Sequence, residues 1–325
     1  LYRLRTGTAP IDESRRWSGL LTTRVDLSSL NTRGVLGGEA TLTRRSGTAG
    51  RAAGVGAVDE LGVYVHTRTP LASSLSLTLA ARGDYSSIAD EVHLSPRAAL
   101  VYTPSARHAL RASYNRSLAP PAAPLQLGAR FSPGLSPELQ SVTQTVEVGY
   151  RGTVWDGGGL DLAAYYAETK NVVATGQAEP LTYRRAGRIE YGGAEAALEA
   201  RPLPPLTVFV NASSVWGAAA SAEAEGAQKA PSVRLQGGAD YGLPAGASVG
   251  ATVHYVDAFS VRAGPYAGPV DRYALLDLRA GTPVPSVPGL YLTLTVKNAL
   301  GNEHREFVGA PKLGRFVTVR LTYAP

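Results

Sequence analysis

The sequence predicts an all-β protein, an antiparallel transmembrane β-barrel, and three observations lead to this prediction. Apolar and polar residues alternate with a period of two along most of the chain, which is the pattern of strands with two different faces. The alternating segments are separated by links that are short and long in turn. Each segment is about ten residues long, the length that a tilted strand needs to cross a bilayer.

The composition of the chain argues against several other classes of protein. The chain has 325 residues, of which 44% are hydrophobic and 18% charged, and it has no Cys. No apolar run approaches the roughly 18 residues of a membrane-spanning helix, and without Cys there is neither a disulfide framework nor a thiolate metal site. The formal charge of +6 is scattered along the chain rather than clustered, so we expect no nucleic-acid partner.

The alternation is clear in the C-terminal segment RFVTVRLTYAP. Val317, Val319 and Leu321 fall on one face, whereas Thr318 and Arg320 fall on the other. The same division recurs, in chain order, in LSLTLAARGDY from Leu75, LTVFVNAS from Leu206, SVRLQGGADY from Ser232, ASVGATVHY from Ala247 and LYLTLTVKN from Leu290. Because lipid cannot satisfy open backbone groups, only a closed sheet can present such an apolar face to it. We therefore expect the apolar face to contact lipid and the polar face to line a lumen.

The links predict which end of each strand lies on which side of the membrane. Short links, rich in Pro, Gly and Ser, are predicted at 28–31, 71–74, 104–107, 152–159, 202–205, 242–247 and 283–289. Long links are predicted at 45–59, 119–142, 170–188, 216–231, 258–271 and 299–314, with a moderate one at 86–93. This division gives 15 strands from Trp17–Leu27 onward, and residues 1–5 end one more. Long links on one side and short ones on the other are typical of outer-membrane barrels.

Tyr residues near strand ends are predicted to lie at the two bilayer interfaces, where an amphipathic ring is favoured. They are Tyr85, Tyr102, Tyr150, Tyr166, Tyr241 and Tyr323.

The order of several motifs resembles that of TonB-dependent outer-membrane receptors. The motifs are GVYVHTRTPLASSLSLTLAARGDY, LSPRAALVYTPSARHALRASYNRSLAPP, LSPELQSVTQTVEVGYRG and the C-terminal stretch that contains LYLTLTVKNALGNEHREF and GRFVTVRLTY. The resemblance covers nearly the whole chain. It implies that residues 1–325 belong to the barrel domain, as roughly the last 15 or 16 strands of a 22-stranded barrel.

The sequence also departs from that family. The plug domain, the TonB box and the early strands are absent, so we expect the chain to be the C-terminal part of a longer protein. The family usually ends on an aromatic residue, whereas here Tyr323 is followed by Ala324 and Pro325.

The resemblance implies active import of a scarce ligand, such as a ferric siderophore or cobalamin, across the bacterial outer membrane. It implies neither an enzyme nor a cofactor. The expected partners are outer-membrane lipid and lipopolysaccharide, the TonB complex acting through the missing plug, and a small ligand such as a metal chelate. Two alternatives stay open: a passive porin-like or structural outer-membrane barrel, and a soluble all-β binding protein.

Charged residues on the predicted polar face are candidates for contact with a plug. In the family such charges hold the plug through hydrogen bonds and ion pairs; alternatively they hydrate the wall and pair across neighbouring strands. The candidates are Arg82, Arg111, Glu147, Arg151, Glu195, Glu199, Arg234, Asp277, Arg279, Lys297 and Arg320.

Candidate ligand-binding residues lie in three of the long links. They are Arg130 and Phe131 in 119–142, Tyr183, Arg184, Arg185 and Arg188 in 170–188, and His304 in 299–314. Arginine and aromatic groups suit an anionic, planar ligand such as a ferric catecholate, and the phosphates of lipopolysaccharide would attract them equally. None of the five His residues has the spacing of a metal site, so we predict neither a metal centre nor a catalytic site.

Overall fold

The computed structural model describes residues 2–6, 9–27, 31–47, 57–87, 91–119, 141–175, 183–219, 230–263 and 266–324. Sixteen strands form one antiparallel sheet in which neighbours in sequence are neighbours in space. This confirms the predicted fold class and the predicted number of strands. Within the described residues, no helix is long and apolar enough to cross a membrane.

The strands are numbered in chain order. They are β1 (Tyr2–Thr6), β2 (Ala9–Leu27), β3 (Thr32–Gly47), β4 (Ala57–Ala72), β5 (Leu75–Ser86), β6 (Glu91–Ser105), β7 (His108–Ala119), β8 (Ser141–Trp155), β9 (Gly158–Thr175), β10 (Tyr183–Leu203), β11 (Leu206–Ala219), β12 (Val233–Gly242), β13 (Ser248–Val256), β14 (Phe259–Ala263), β15 (Tyr266–Val270), β16 (Tyr273–Pro283), β17 (Leu290–Lys297) and β18 (Phe316–Tyr323). Strands β14 and β15 form a separate two-stranded sheet, and a 3₁₀ turn (Pro244–Gly246) lies between β12 and β13.

The strand register places apolar side chains on one face of the whole sheet and polar side chains on the other. On β11, Val210 pairs with Leu198 and Gly237, while Asn211 on the other face pairs with Gln236. The apolar rows are open: Val210 is 51% exposed and Val319 64% exposed. A soluble sandwich would bury such rows against a second sheet, so their exposure agrees with a face that contacts lipid.

The apolar face has the height of a hydrocarbon layer. Ten residues separate Tyr85 from Leu75, and Leu75 pairs with Tyr102. That separation is about 33 Å along a strand, or about 25 Å at a barrel tilt of about 40°. The two tyrosines are thus spaced as aromatic residues at opposite interfaces would be.

The strands are longer than predicted, and several predicted link bounds were wrong. The predicted link 170–188 is largely strand, because β9 has 18 residues and continues to Thr175, while β10 has 21 residues and begins at Tyr183. Likewise, β2 begins at Ala9 rather than at Trp17. Antiparallel pairing satisfies backbone groups in water as well as in lipid, so it continues beyond the bilayer, where the sequence no longer needs to alternate.

The predicted link 258–271 contains an unpredicted hairpin. Strands β14 and β15 pair through Phe259 and Val270, and the side chains of Val261 and Val270 are 1% and 2% exposed. The hairpin therefore has a small apolar core of its own outside the main sheet.

Candidate functional site

The polar face of the sheet carries all the charged residues that the sequence placed there. Cross-strand partners connect them through residues of the same face: Arg320 pairs with Thr293, and Arg279 pairs with both Thr295 and Gly250. Following these partners across the sheet places Arg82, Arg111, Glu147, Arg151, Glu195, Glu199, Arg234, Asp277, Arg279, Lys297 and Arg320 on one face.

One part of this face, the paired sector, is formed by β5–β9. Arg82 lies 2.7 Å from Asp84 and 3.3 Å from Glu39 of β3, and its guanidinium lies 6.0 Å from the centre of the Tyr64 ring. Further along the sheet, Arg111 is 2.9 Å from Glu147. In the same sector Arg151 donates to Asp161 across 2.6 Å. Arg111 and Arg151 are thus neutralised across neighbouring strands. Arg82 is neutralised within its own strand and by Glu39 of β3.

A second part of the polar face, the unpaired sector, is formed by the polar-face residues of β10–β13 and β16–β18. Within the described residues, one of its carboxylates has a basic group nearby: Asp277 lies 3.5 Å from Nε2 of His254. The others have no ion-pair partner in that part of the chain: acidic Glu195, Glu199 and Asp240, and basic Arg234, Arg279, Lys297 and Arg320. These charges remain available to water or to a polar partner.

Two hollows lie on the polar face where the sectors meet. The larger, of about 1180 Å³, lies near the tight turns and is lined by Arg151, Asp161 and Glu199 among others. The other, of about 560 Å³, is lined by Arg111, Glu195, Arg234 and His254 among others. Both are lined by charged and amide side chains together with apolar ones such as Ala197.

The end with the long links carries a third cavity. The β14–β15 hairpin packs against the link after β17, with the rings of Tyr266 and Phe307 6.0 Å apart. Between them is a cavity of about 490 Å³ lined by residues 269–274, 302–305, 307–309 and Lys312.

Asp257 fixes the start of the hairpin. Its carboxylate accepts hydrogen bonds from the Ser232 hydroxyl at 2.6 Å and the Ala258 amide at 2.9 Å. These two bonds hold the pKa of Asp257 below its ordinary value, because they stabilise the charged form. The stabilisation is therefore present at neutral pH and is lost as the pH falls through the lowered pKa.

The family described as "TonB dependent receptor-like, beta-barrel" matches residues 2–299. The chain belongs to this family. No curated protein matches the chain at the level of sequence.

Solved structures of TonB-dependent receptors share this architecture. The FrpB iron transporter from Neisseria meningitidis matches with a TM-score of 0.74 and 15% identity, over 96% of this chain and 55% of its own. The copper transporter OprC matches with a TM-score of 0.76 and 11% identity, over 96% and 57%. A single-residue mutant of the ferric enterobactin receptor PfeA from Pseudomonas aeruginosa gives 0.75 and 15%, over 96% and 54%. The chain thus spans about half the length of these receptors.

The candidate ligand-binding residues of this TonB-dependent receptor barrel lie in different places. Arg130 and Phe131 lie outside the described residues. The backbone of Tyr183, Arg184 and Arg185 pairs with the end of β9, and the side chains of these three lie outside the described part.

Arg188 and His304 have described side chains. Arg188 is 3.1 Å from Glu168 and 2.9 Å from Glu190, on the same side of β10 as the apolar rows but beyond them. His304 lines the cavity between the hairpin and the last link. They belong to different links, and their predicted role in ligand binding stays a prediction.

Sequence reasoning missed the partners in the paired sector. Asp84 was detectable, because it lies two residues from Arg82 and therefore on the same face of a strand. Glu39 and Asp161 become partners of arginines only through the strand register, which alternation alone does not specify. Asp257 was not predicted either, since its function as a capping residue depends on Ser232 in a neighbouring link.

Proposed function

We propose that this chain forms the barrel portion of an outer-membrane receptor that actively imports a scarce ligand in a TonB-dependent way. Residues 1–325 supply the wall, which binds and transports without covalent chemistry. The observation that carries this proposal is the sheet with two faces. An exposed apolar face runs through it, while the polar face over β10–β13 and β16–β18 has charges without an ion-pair partner among the described residues. Membership of the receptor family supports the same function.

A metal chelate is the ligand class that we favour, such as a ferric siderophore, with cobalamin as a related possibility. The names of the similar structures specify iron, copper and ferric enterobactin for those proteins. In this chain, the cavity between the hairpin and the last link lies at the end where a ligand would arrive from outside.

The unpaired sector is proposed to hold the plug domain through which TonB acts. The acidic pair Glu195 and Glu199 lies on β10, whereas Arg279, Lys297 and Arg320 lie on the three strands at the other side of the sector. A plug with complementary charges would neutralise both groups. On the apolar face, the partners are outer-membrane lipid and lipopolysaccharide.

Uptake in cells tests this function. Cells that lack the gene for this chain should lose growth on a panel of ferric chelates or cobalamin supplied at limiting concentration. Loss of TonB in the parent strain should produce the same defect. A uniform, TonB-independent loss of small-solute permeability would instead indicate a passive pore and would contradict the proposal.

A further inference from the structure

An open hollow of about 740 Å³ interrupts the apolar face of the sheet over β7–β12. Small side chains lie at its base, because Ala194 pairs with Ala164 and Ser214, and Ala196, two residues further along β10, pairs with Ala212. Larger apolar side chains line both sides: Leu110, Val148, Tyr150 and Leu162 towards β7–β9, and Val233 and Leu235 on β12. Since this face contacts lipid, hydrocarbon chains are the groups that reach the hollow.

Two aromatic side chains border the hollow on the side of the long links. Tyr166 and Trp216 both pair with Gly192, which lies two residues from Ala194 along β10. A Cβ atom on Gly192 would lie 2.7 Å from Nε1 of Trp216, so the indole lies across the glycine backbone. The two aromatic side chains are 52% and 57% exposed. Amphipathic rings of this kind mark the boundary between hydrocarbon and headgroups, and the hollow lies on the hydrocarbon side of that boundary.

Beyond the aromatic side chains, the same face carries five charged residues, which we call the charged rim. Arg116 of β7 shares a cross-strand row with Glu168 of β9 and Glu190 of β10. Arg188 bridges the two carboxylates, at 3.1 Å from Glu168 and 2.9 Å from Glu190, and Lys170 lies 3.4 Å from Glu168. Arg116 has no ion-pair partner among the described residues. Because three cations stand against two carboxylates, the charged rim suits an anionic headgroup.

A molecule that carries both phosphate and hydrocarbon fits the rim and the hollow together. Ala194 is four residues from Glu190 on the same face of β10, about 13 Å along the strand, a distance that a fatty acyl chain spans. Arg116 and Arg188 are three strands apart, about 14 Å, which suits two phosphates rather than one.

Lipopolysaccharide has this combination of groups. Its lipid A carries a phosphate at each end of a disaccharide together with several acyl chains, and it forms the outer leaflet of the bacterial outer membrane. A glycerophospholipid offers a single phosphate. The long links of an outer-membrane barrel lie on the outside, so the charged rim lies at the level of the lipid A phosphates.

We propose that the hollow and the charged rim form a binding site for one lipopolysaccharide molecule. An acyl chain of its lipid A fills the hollow beside Ala194, and its phosphates bind Arg116 and Arg188. The site rests on the proposed function in one respect, which is that the long links lie outside the cell. It has a selectivity that ordinary contact with bilayer lipid lacks, because affinity depends both on phosphate and on the small side chains of β9–β11.

The test uses the whole protein that contains this chain, purified from outer membranes in detergent and freed of bound lipid. Purified lipid A, lipid A without its phosphates, and phosphatidylethanolamine are titrated separately, and native mass spectrometry counts the bound molecules. We expect lipid A to saturate at one tightly bound molecule for each protein. Lipid A without phosphates should bind about tenfold more weakly, because the charge-assisted hydrogen bonds are lost. Phosphatidylethanolamine should also bind at least about tenfold more weakly.

Matched variants separate the two parts of the site. Ala194→Phe fills the hollow with an apolar side chain and should weaken lipid A binding by at least about tenfold, since about two buried CH₂ groups account for that factor. Ala251→Phe is the control: Ala251 lies on the apolar face of β13, pairs with Ala239 and Leu278, and does not line the hollow. Arg116→Gln should weaken lipid A binding by about tenfold and leave the binding of lipid A without phosphates unchanged.

Each of several outcomes would overturn the proposal. Equal affinity for lipid A and phosphatidylethanolamine, or binding that never saturates, would make the hollow an ordinary lipid contact. Equal losses in Ala194→Phe and Ala251→Phe would contradict a chain in the hollow. Arg116 is partly exposed, so Arg116→Gln should fold normally, and its unchanged affinity would sink the site even if Ala194→Phe fails to fold. Because these are binding measurements on purified protein, their failure is distinct from a failure of uptake in cells.

Discussion

The paired and unpaired sectors of the polar face contain similar numbers of charges but arrange them differently. In the paired sector, Arg111 and Arg151 each lie within 3 Å of a carboxylate on the next strand. In the unpaired sector, the direct cross-strand neighbours are small or uncharged: Arg320 faces Thr293, and Glu195 faces Ala163 and Ser213. Arg111 also faces only uncharged residues directly, Val101 and Gly149, and it pairs with Glu147 diagonally. The difference therefore lies in which charged residues the register brings within reach of one another, since the same residue types are present in both sectors.

This contrast separates two uses of charge in a barrel wall. A charge that pairs across strands supports the wall itself, although an exposed pair contributes only about 0.2–1 kcal/mol. A charge without such a neighbour adds nothing to the wall and is available to whatever enters the lumen. We therefore expect changes in the paired sector to alter stability, and changes in the unpaired sector to alter import.

The largest expected effect tests whether the polar face contacts water and the apolar face contacts lipid, on which the comparison of the two sectors depends. Val210 and Asn211 are consecutive residues of β11 on opposite faces. Val210→Arg should lower the free energy of unfolding by about 2–4 kcal/mol, because it places a cation in hydrocarbon. The matched change Asn211→Arg should stay within about 0.5 kcal/mol. Urea titration of the chain folded in lipid vesicles measures both, and equal losses would contradict the assignment of the faces.

Reversing the charge of two unpaired carboxylates should produce the next largest effect. The double variant Glu195→Lys and Glu199→Lys should reduce import by at least about tenfold, because it places cations where an acidic patch meets its partner. Its unfolding free energy should stay close to that of the parent. Glu147→Gln, in the paired sector, is the control and should import normally. A double variant that imports at the parental rate would show that these charges merely hydrate the wall.

The strand faces were predictable from sequence because alternation with a period of two is a local signal. Val317, Val319 and Leu321 could be assigned to one face without knowing any partner strand. The ends of the strands were not predictable in this way. Beyond the bilayer, Glu168, Lys170, Arg188 and Glu190 continue the apolar rows of β9 and β10 with charged side chains, so the alternation stops while the pairing continues.

The candidate site was less predictable than the fold, because it depends on residues that are distant in sequence. His304 was a candidate from its position in a long link. The environment of its ring, in which Nε2 has no hydrogen-bond partner within the described structure, depends on the positions of Asn302, Tyr273 and Glu306. The pairing of Arg111 with Glu147 depends on the register between β7 and β8. The hairpin β14–β15 was missed because its two strands have five residues each, too few for alternation to be clear.

A smaller difference is expected between the two sectors in the free energy of unfolding alone. Arg111→Ala removes one side of a half-exposed ion pair with Glu147 and should lower the free energy of unfolding by about 0.2–1 kcal/mol. Arg279→Ala removes a charge without a partner in the described structure and should lower it less. Urea titrations at low and at high salt measure both. The Arg111 effect should shrink as salt rises, and equal, salt-independent losses would remove the distinction.

The smallest effect comes from converting part of the unpaired sector into a paired one. Thr295 lies directly opposite Arg279 across β16 and β17, so Thr295→Asp creates a cross-strand ion pair and should add about 0.2–1 kcal/mol to the free energy of unfolding. Thr295→Asn has nearly the same shape without the charge and should add less. If Arg279 serves a partner in the lumen, the aspartate variant should also import more slowly than the asparagine variant, since its Arg279 is already neutralised. If the aspartate variant is more stable but imports at the rate of the asparagine variant, Arg279 has no partner in the lumen. If it is more stable and imports more slowly, one substitution shows that the charge of Arg279 can either stabilise the wall or bind a partner.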